Sequence, residues 1–171
     1  MAGQGGIERD ETLREDLEAA RAMARRLALL HAAYARTLVD ALGEKEGTAL
    51  IRRAIRSYGT RVGERVLRQV EALGLEPTPA NYARGDDLPP DLFPSKAVQV
   101  GGEERSRSAG CVLCEIWREY GEVALGGLYC GVDPAKMEAY NPGWTMVHTR
   151  RQPAGDPCCE FAVRPVAEEE S

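Results

Sequence analysis

Several features of membrane, secreted and nucleic-acid-binding proteins are missing from this sequence. No apolar run is long enough to cross a bilayer. The opening residues, MAGQGG, contain neither the basic segment nor the apolar segment of a secretory signal. The formal net charge is -5, which argues against the electrostatic footprint of a nucleic-acid-binding protein. We therefore expect a cytoplasmic protein that binds neither membranes nor nucleic acids.

Cysteine is absent from the first 110 residues, and all five cysteines lie between Cys111 and Cys159. An odd number in a reducing compartment favours thiols, thiolate ligands or a nucleophile over a disulfide framework. Free cysteines are also often simply buried. The same stretch contains His148 and both tryptophans, Trp117 and Trp144. We expect the chemistry of the chain to lie there.

The composition is that of a globular protein. With 171 residues, 43% hydrophobic and 29% charged, the chain can bury one substantial core. We predict a disordered tail at residues 1–7, a single α+β domain at residues 8–166 and an acidic tail at residues 167–171. The domain divides into a helical part, residues 8–74, and a cysteine-rich sheet part, residues 96–166.

Helical periodicity fills the first part. One helix is predicted from Glu8 to Leu42, and a second from Gly47 or Thr48 to Leu73, so that the two form a hairpin. Gly59 and Gly63, one turn apart, indicate close approach of another backbone. The hairpin is also the predicted surface for a homodimer. The predicted buried face of the first helix carries Leu13, Leu17, Ala20, Ala24, Leu27, His31, Tyr34, Leu38 and Leu42.

The second part favours short strands and helices. A proline- and acid-rich connection from Glu76 to Ser95 is predicted to lie over the core through Leu92 and Phe93. Alternation and turn residues then predict an antiparallel sheet with short helices, packed against the hairpin in an α+β fold. The predicted strands are Lys96–Gly101, Arg105–Cys111, Trp144–Gln152 and Cys159–Val166, and the predicted helices are Leu113–Tyr120 and Glu122–Cys130.

Cys111 and Cys114 form a CxxC pair, the spacing of a zinc knuckle or a redox dithiol. The second CxxC of a zinc ribbon is missing. Cys158 and Cys159 do not replace it easily, because neighbours on a strand point to opposite faces. The βαβ context of a thioredoxin-like motif is also missing. The pair alone is weak evidence for either chemistry.

A second set consists of Cys130, Asp133, His148 and Cys159. His148 and Cys159 fall on two strands that pair across one turn, which brings them to one face if the register agrees. Thiolates and imidazole together favour zinc or another transition metal. The same residues are equally suited to a nucleophile, a base and a carboxylate that orients the base. The residue pattern leaves both interpretations open.

The motifs of this region resemble those of a known family. This is the L-2-amino-thiazoline-4-carboxylic acid hydrolase-like family, which the chain resembles over about Leu38 to Val166. The resemblance implies a hydrolase that acts on a C–N bond of a small cyclic amidine or amide, opening a thiazoline ring to N-carbamoyl-cysteine. Together with His148, the catalytic residues that it implies are Cys111, Cys130, Asp133 and Cys159. The motifs are Cys111-x-Leu113-x-Glu115-x-Trp117-x-x-x-Gly121, Leu128-Tyr129-Cys130-x-x-Asp133 and Gly155-Asp156-x-x-Cys159-x-Phe161.

The C-terminal part is also similar to 4-vinyl reductase domains, which bind small molecules. This second resemblance implies Cys130, His148 and Cys159 as ligands of zinc or another transition metal, with Arg151 at the position of the remaining cysteine. It defines the alternative function, a non-catalytic small-molecule-binding or sensor module. In the hydrolase interpretation, Arg150 or Arg151 pairs with a substrate carboxylate.

Overall fold

The computed structural model describes residues 4–166, with side chains from residue 11 onward except that of Pro90. Residues 1–3 and the predicted acidic tail, 167–171, lie outside this range. The α+β architecture is confirmed, and none of the helices in the described range is long and apolar enough to cross a membrane. The helices are α1 (Gln4–Leu42), α2 (Glu44–Ala72), α3 (Tyr82–Gly85), α4 (Val112–Glu119), α5 (Val123–Gly126) and α6 (Val132–Tyr140). The strands are β1 (Lys96–Val100), β2 (Glu103–Ser108), β3 (Trp144–Arg150) and β4 (Cys159–Pro165).

The predicted helical hairpin is confirmed. α1 begins at Gln4, four residues before the predicted Glu8, and ends at the single-residue turn at Gly43. Gly43 has φ +80°, a conformation that side chains disfavour. Beside the turn, a Cβ on Gly47 would lie 2.7 Å from the Cα of Val39, so the two helices touch through their backbones.

The buried face of α1 differs from the prediction. It is a stripe of alanines, and Trp117 packs against it, donating a hydrogen bond from Nε1 to the Ala28 carbonyl at 3.1 Å. The prediction was wrong for four residues because α1 is apolar on more than one side, and small side chains let neighbouring elements approach most closely. The buried alanines are Ala24, Ala28, Ala32 and Ala35. The exposed residues are Leu13 (60%), Leu27 (37%), Tyr34 (66%) and Leu42 (40%).

α6 is an element that the sequence did not predict. It packs along α2 at the two glycines, where a Cβ on Gly59 would lie 2.8 Å from both the Val132 carbonyl oxygen and the Ala135 Cβ. A Cβ on Gly63 would collide with the Lys136 carbonyl oxygen. The predicted close approach of a second backbone is therefore confirmed, and its partner is α6.

The connection between the two parts is confirmed as a cover over the core. Leu92 is 5% exposed and belongs to the same cluster as Ala28 and Trp117. Phe93 packs against this cluster from its edge. The segment closes one side of the hairpin before the chain enters the sheet.

The four strands form one antiparallel sheet in the order β1-β2-β4-β3. His148 on β3 pairs with Phe161 on β4, and the register then shifts so that Arg150 pairs with Glu160. Thr149 is the extra residue of this bulge. Cys159 lies two residues from Phe161, on the face that also carries His148. The predicted common face of the histidine and the cysteine is confirmed.

The opposite face of the sheet carries an ionic network. Glu160 is 1% exposed and accepts hydrogen bonds from Arg105 at 2.9 Å and from Arg107 at 2.6 Å. Glu103 accepts from Arg164 at 2.6 Å and from Arg105 at 2.7 Å. The charged groups therefore satisfy one another on this face, while the histidine face turns towards α6 and α2.

Candidate active site

A histidine, a carboxylate and a lysine meet between β3 and α6. The Nε2 of His148 lies 3.1 Å from Asp133 Oδ2, and the Nζ of Lys136 lies 2.7 Å from Asp133 Oδ1. Asp133 lies in the first turn of α6, and Lys136 lies one turn later on the same side. The glycine contacts of α2 fix the position of this helix, so the hairpin sets where Asp133 stands beside β3.

The charge of Asp133 is stabilised where it stands. Burial alone would raise the pKa of Asp133, but the positive charge of Lys136 and hydrogen bonds from His148 and Lys136 lower it to about 2. Burial alone would lower the pKa of Lys136, but the negative charge of Asp133 raises it. Asp133 is therefore a carboxylate at neutral pH.

His148 and Cys130 line the same cleft, whose volume is about 580 Å³. The cleft lies between the segment before α6, strand β3 and the turn that follows β3. Two arginines, Arg52 from α2 and Arg151 after β3, also line it. The remaining lining residues are Ala124, Gly127, Leu128, Gly131, Pro134, Thr145, Met146, Val147, Pro153 and Ala154.

Three partly buried thiols gather at one end of the sheet, near enough for their charges to interact: Cys111, Cys130 and Cys159. The fully buried Cys114 lies behind them and interacts with Cys111 and Cys159 as well. Cys111 stands before α4, where its sulfur accepts backbone hydrogen bonds from Leu113 and Cys114. The Cys159 sulfur accepts one from the Gln152 backbone at 3.5 Å. The structure thus brings together the predicted thiols, but only Cys130 lines the cleft.

All three thiols are held in the protonated form. Burial raises the pKa of Cys130 to about 12 and that of Cys111 to about 11. The pKa of Cys159 is also raised, mainly by burial. The charge of Asp133 adds to the shift at Cys130, whereas Arg151 opposes it. A reaction that uses one of these sulfurs needs a base to remove the proton as the bond forms.

The other two cysteines are part of the core. Cys114 is fully buried in the cluster around Trp117, and Cys158 is 7% exposed. All five cysteines are free thiols. The CxxC pair therefore joins a core residue, Cys114, to the edge of the thiol cluster, Cys111.

A protein metal site needs at least three ligating side chains arranged around one point. Among residues 4–166, no group of three or more histidine, cysteine, aspartate or glutamate side chains is placed to hold a metal ion. Cys130, His148 and Cys159 therefore do not present a ready coordination shell, and their role as ligands stays a prediction.

Two residues of the site were not anticipated. Arg52 is an exposed residue of α2, yet it lines the cleft. Lys136 was missed together with α6, although its i,i+3 spacing from Asp133 was visible. Arg150, a predicted substrate partner, is exposed and does not line the cleft, whereas Arg151 does.

The second histidine, His31, has a structural role. His31 Nε2 lies 3.1 Å from the Leu125 carbonyl oxygen, and its ring packs against Trp117 and Tyr129. Burial lowers its pKa, so His31 is a neutral residue that ties α1 to α5. It is not part of the cleft.

The helical hairpin and the small antiparallel sheet thus carry a carboxylate–histidine pair at a cleft that the partly buried Cys130 also lines. The family model described as L-2-amino-thiazoline-4-carboxylic acid hydrolase matches residues 20–163. The chain belongs to this family. No curated protein and no solved structure matches it. The resemblance to 4-vinyl reductase domains stays a prediction.

Proposed function

We propose that the protein hydrolyses the amidine or amide carbon of a small heterocycle such as 2-amino-thiazoline-4-carboxylate, using Cys130, His148 and Asp133. The observation that carries this proposal is the 3.1 Å contact between His148 Nε2 and Asp133 Oδ2 at the wall of a cleft that Cys130 also lines. A nucleophile, a base and a group that orients the base are the parts that such chemistry needs. Membership in the family supports the reaction class.

The contact with Asp133 determines which nitrogen of the histidine is reactive. An ionised Asp133 accepts a hydrogen bond from Nε2–H, and this fixes the tautomer in which Nδ1 carries a free lone pair. Nδ1 is then the base, and the carboxylate stabilises the imidazolium that forms when Nδ1 takes a proton. Asp133 acts through His148 and is a positioning residue.

Cys130 is the proposed nucleophile because it alone of the three clustered thiols lines the cleft. Its sulfur bonds to the ring carbon between nitrogen and sulfur while His148 takes the thiol proton. The ring C–S bond breaks, and the leaving sulfur receives that proton. The bond cleaved in this substrate is therefore C–S, whereas the resemblance implied a C–N bond. A water, deprotonated by His148, then adds to the same carbon. The bond from this carbon to the Cys130 sulfur breaks, Cys130 takes back a proton from His148, and the second water proton passes to the former ring nitrogen as the carbonyl forms. In the net reaction one water is added, the ring C=N becomes C–N, and N-carbamoyl-cysteine is released.

The two arginines of the cleft support a substrate with a carboxylate. Arg52 and Arg151 approach the cleft from α2 and from the end of β3, and among the described residues neither guanidinium forms an ion pair. Guanidinium groups bind carboxylates with paired, charge-assisted hydrogen bonds. We assign Arg151, whose positive charge acts on Cys130, as the main carboxylate partner.

Turnover of 2-amino-thiazoline-4-carboxylate tests the reaction. Release of a free thiol and formation of N-carbamoyl-cysteine, followed by mass spectrometry, are expected for the wild type. Cys130→Ala and His148→Gln should each lower kcat by about 10²–10⁴-fold, while Cys158→Ala, a buried cysteine outside the cleft, should retain turnover. Wild-type rates in both of the first two variants would rule out this site. If the wild type bound the substrate but neither it nor any variant turned the substrate over, the sensor alternative would be favoured.

The carboxylate assignment has its own test. Arg151→Met should raise KM for the carboxylate substrate by about 10–100-fold, corresponding to loss of a charged hydrogen bond. With 2-amino-thiazoline, which has no carboxylate, the variant and the wild type should behave alike. An equal effect of Arg151→Met on both compounds would show that the arginine does not read the carboxylate.

A further inference from the structure

We propose that the open edge of β3 binds the substrate through its backbone, and that the N–H and C=O of Met146 pair with the amidine of the ring. The ligand class is a neutral cyclic amidine in which a ring nitrogen, an acceptor, stands beside an exocyclic N–H donor. This role of β3 rests on the proposed function of the site and adds the groups that select the ring. The chemistry assigned to Cys130, His148 and Asp133 does not use the backbone of the strand.

β3 is an edge strand, and within residues 4–166 it pairs with β4 alone. In an antiparallel pair, inward residues, whose N–H and C=O both point to the neighbouring strand, alternate with outward residues, whose N–H and C=O point away. The Val166 N–H donates to the Gly143 carbonyl oxygen at 2.9 Å, which makes Gly143 an inward residue. By the register of β3 and β4, Thr145 and Val147 are also inward residues, and Met146 is an outward one.

A hydrogen bond at the start of the strand agrees with this alternation. The Trp144 N–H donates to the Asn141 carbonyl oxygen at 3.0 Å, in the turn before β3, and so points away from β4. Two residues later, the N–H and C=O of Met146 point to the same side. No hydrogen bond outside the sheet reaches the backbone of Met146 in the part of the chain that the structure describes. Backbone groups at an open edge need water or a ligand as their partner.

The edge of β3 forms one wall of the cleft. Four consecutive residues, 145–148, line it. Successive side chains of a strand point to opposite faces, so four residues in a row reach one cleft only where the cleft lies along the edge. Met146 is 9% exposed, and its side chain belongs to the core cluster of Val70 and Met137. Its backbone is therefore the part that lines the cleft.

The neighbouring helix does not supply the missing partners. α6 runs beside the same edge, and the Thr145 hydroxyl donates to Glu138 Oε1 at 3.0 Å. At the start of α6, Gly131 and Pro134 line the cleft. Neither residue has a polar side chain, and proline has no N–H. This side of the cleft can hold a flat ring against the strand while the backbone of Met146 stays available.

The chemistry of the ring matches the edge. The N–H and C=O of one outward residue present a donor and an acceptor side by side. A neutral 2-amino-thiazoline presents the complementary pair, because its ring nitrogen accepts and its exocyclic amino group donates. His148 follows Met146 by two residues, about 7 Å along the strand, and it lines the same cleft as Cys130. A ring held at Met146 is thereby oriented next to the base and the nucleophile.

Three ring compounds test the selection. Their dissociation constants are measured by calorimetry with Cys130→Ala, which cannot consume them by the proposed mechanism. 2-Amino-thiazoline-4-carboxylate and 2-amino-oxazoline-4-carboxylate should bind alike, because the edge contacts the nitrogens and not the ring sulfur. 2-Methyl-thiazoline-4-carboxylate, which lacks the donor, should bind about 10–100-fold more weakly. Equal binding of the methyl compound, or no binding of any of the three, overturns the role of β3.

A backbone substitution tests the residue itself. In the full chain, the α-hydroxy analogue of methionine at position 146 replaces the N–H by an ester oxygen, and it should weaken binding of 2-amino-thiazoline-4-carboxylate about tenfold. The matched ester at Thr145 removes an N–H that points to β4. It should leave the affinity unchanged and lower the stability in urea by more than the ester at Met146. Equal affinities of the two ester variants would contradict the pairing with Met146.

Turnover and ring selection can fail separately. Turnover by the wild type, without preference for the amino compound over the methyl compound, would leave the hydrolase in place and remove the role of β3. A preference for the amino compound without any turnover would support the role of β3 and contradict the hydrolase.

Discussion

Gly63 of α2 faces the carbonyl oxygen of Lys136 in α6, and no side chain fits between them. The contact joins two helices whose residues otherwise belong to different parts of the fold. Because the obstructing atom is backbone, it cannot move without shifting α6. The relationship matters for the site, since α6 carries Asp133 one turn before Lys136.

We expect Gly63→Ala to lower the free energy of unfolding by about 1–3 kcal/mol, the usual cost of overpacking. The gain in helix propensity, about 1 kcal/mol, is too small to reverse the sign when the clash is with backbone. Urea denaturation measures the effect. Gly110→Ala is the matched control, because a Cβ there would meet no atom within 4 Å. Equal stability of the two variants would refute the tight helix contact.

Asp133→Asn should lower kcat by about 10²–10⁴-fold, the range of general acid–base catalysis. Asparagine can occupy the same space but cannot stabilise a protonated His148. The steady-state rate with 2-amino-thiazoline-4-carboxylate measures this, and Asp133→Glu should recover part of the loss. If Asp133→Asn changed KM alone and left kcat intact, the carboxylate would not act through the histidine.

Acid should destabilise the protein partly through the ionic network on the sheet. Hydrogen bonds from Arg105 and Arg107 lower the pKa of Glu160 from 4.5 to about 2. Unfolded chains therefore bind this proton at a higher pH than folded ones, and stability present above about pH 4.5 is lost as the pH falls towards 2. Denaturation at a series of pH values should show this slope in the wild type and a shallower slope in Glu160→Gln. Identical slopes would contradict the assignment.

Alkylation should reveal Cys130 as a protonated thiol. With a pKa of about 12, its thiolate fraction, and hence its rate with iodoacetamide, should rise about tenfold per pH unit from pH 7 to pH 10. Peptide mass spectrometry assigns the modified residue, and bound substrate should slow modification at Cys130 in particular. A rate that levels off near pH 7 would instead indicate a low-pKa thiolate.

The helical hairpin, all four strands and the common face of His148 and Cys159 were predictable because each leaves a local pattern. α6 was not. Its sequence, VDPAKMEAY, contains a proline in the first turn and buries Val132, Ala135, Met137 and Tyr140 without a clear polar face. Packing against the glycines of α2 stabilises this helix, and a contact so distant in sequence has no local signature.

For the candidate site, the sequence predicted which residues belong to it better than which residues contact one another. Asp133 and His148 were both predicted as site residues, but their contact depends on α6, which was not predicted. Lys136 was missed for the same reason, because it also lies on α6. Arg52 lies on α2, about eighty residues before Asp133, so only the folded chain brings it to the cleft. The inner face of α1 was misjudged for a related reason: both sides of the helix carry apolar residues at helical spacing.

The bulge at Thr149 determines which of two neighbouring arginines faces the cleft. Because one extra residue precedes Arg150, the pleat brings Arg151 to the cleft and leaves Arg150 opposite Glu160. If the strand slipped so that Thr149 took the regular place opposite Glu160, these two side chains would exchange faces. Since both are arginines, a slipped strand would still present a guanidinium at each position. The second arginine therefore keeps a positive charge in the cleft after a one-residue slip of register, a change that moves every side chain of a strand to the other face.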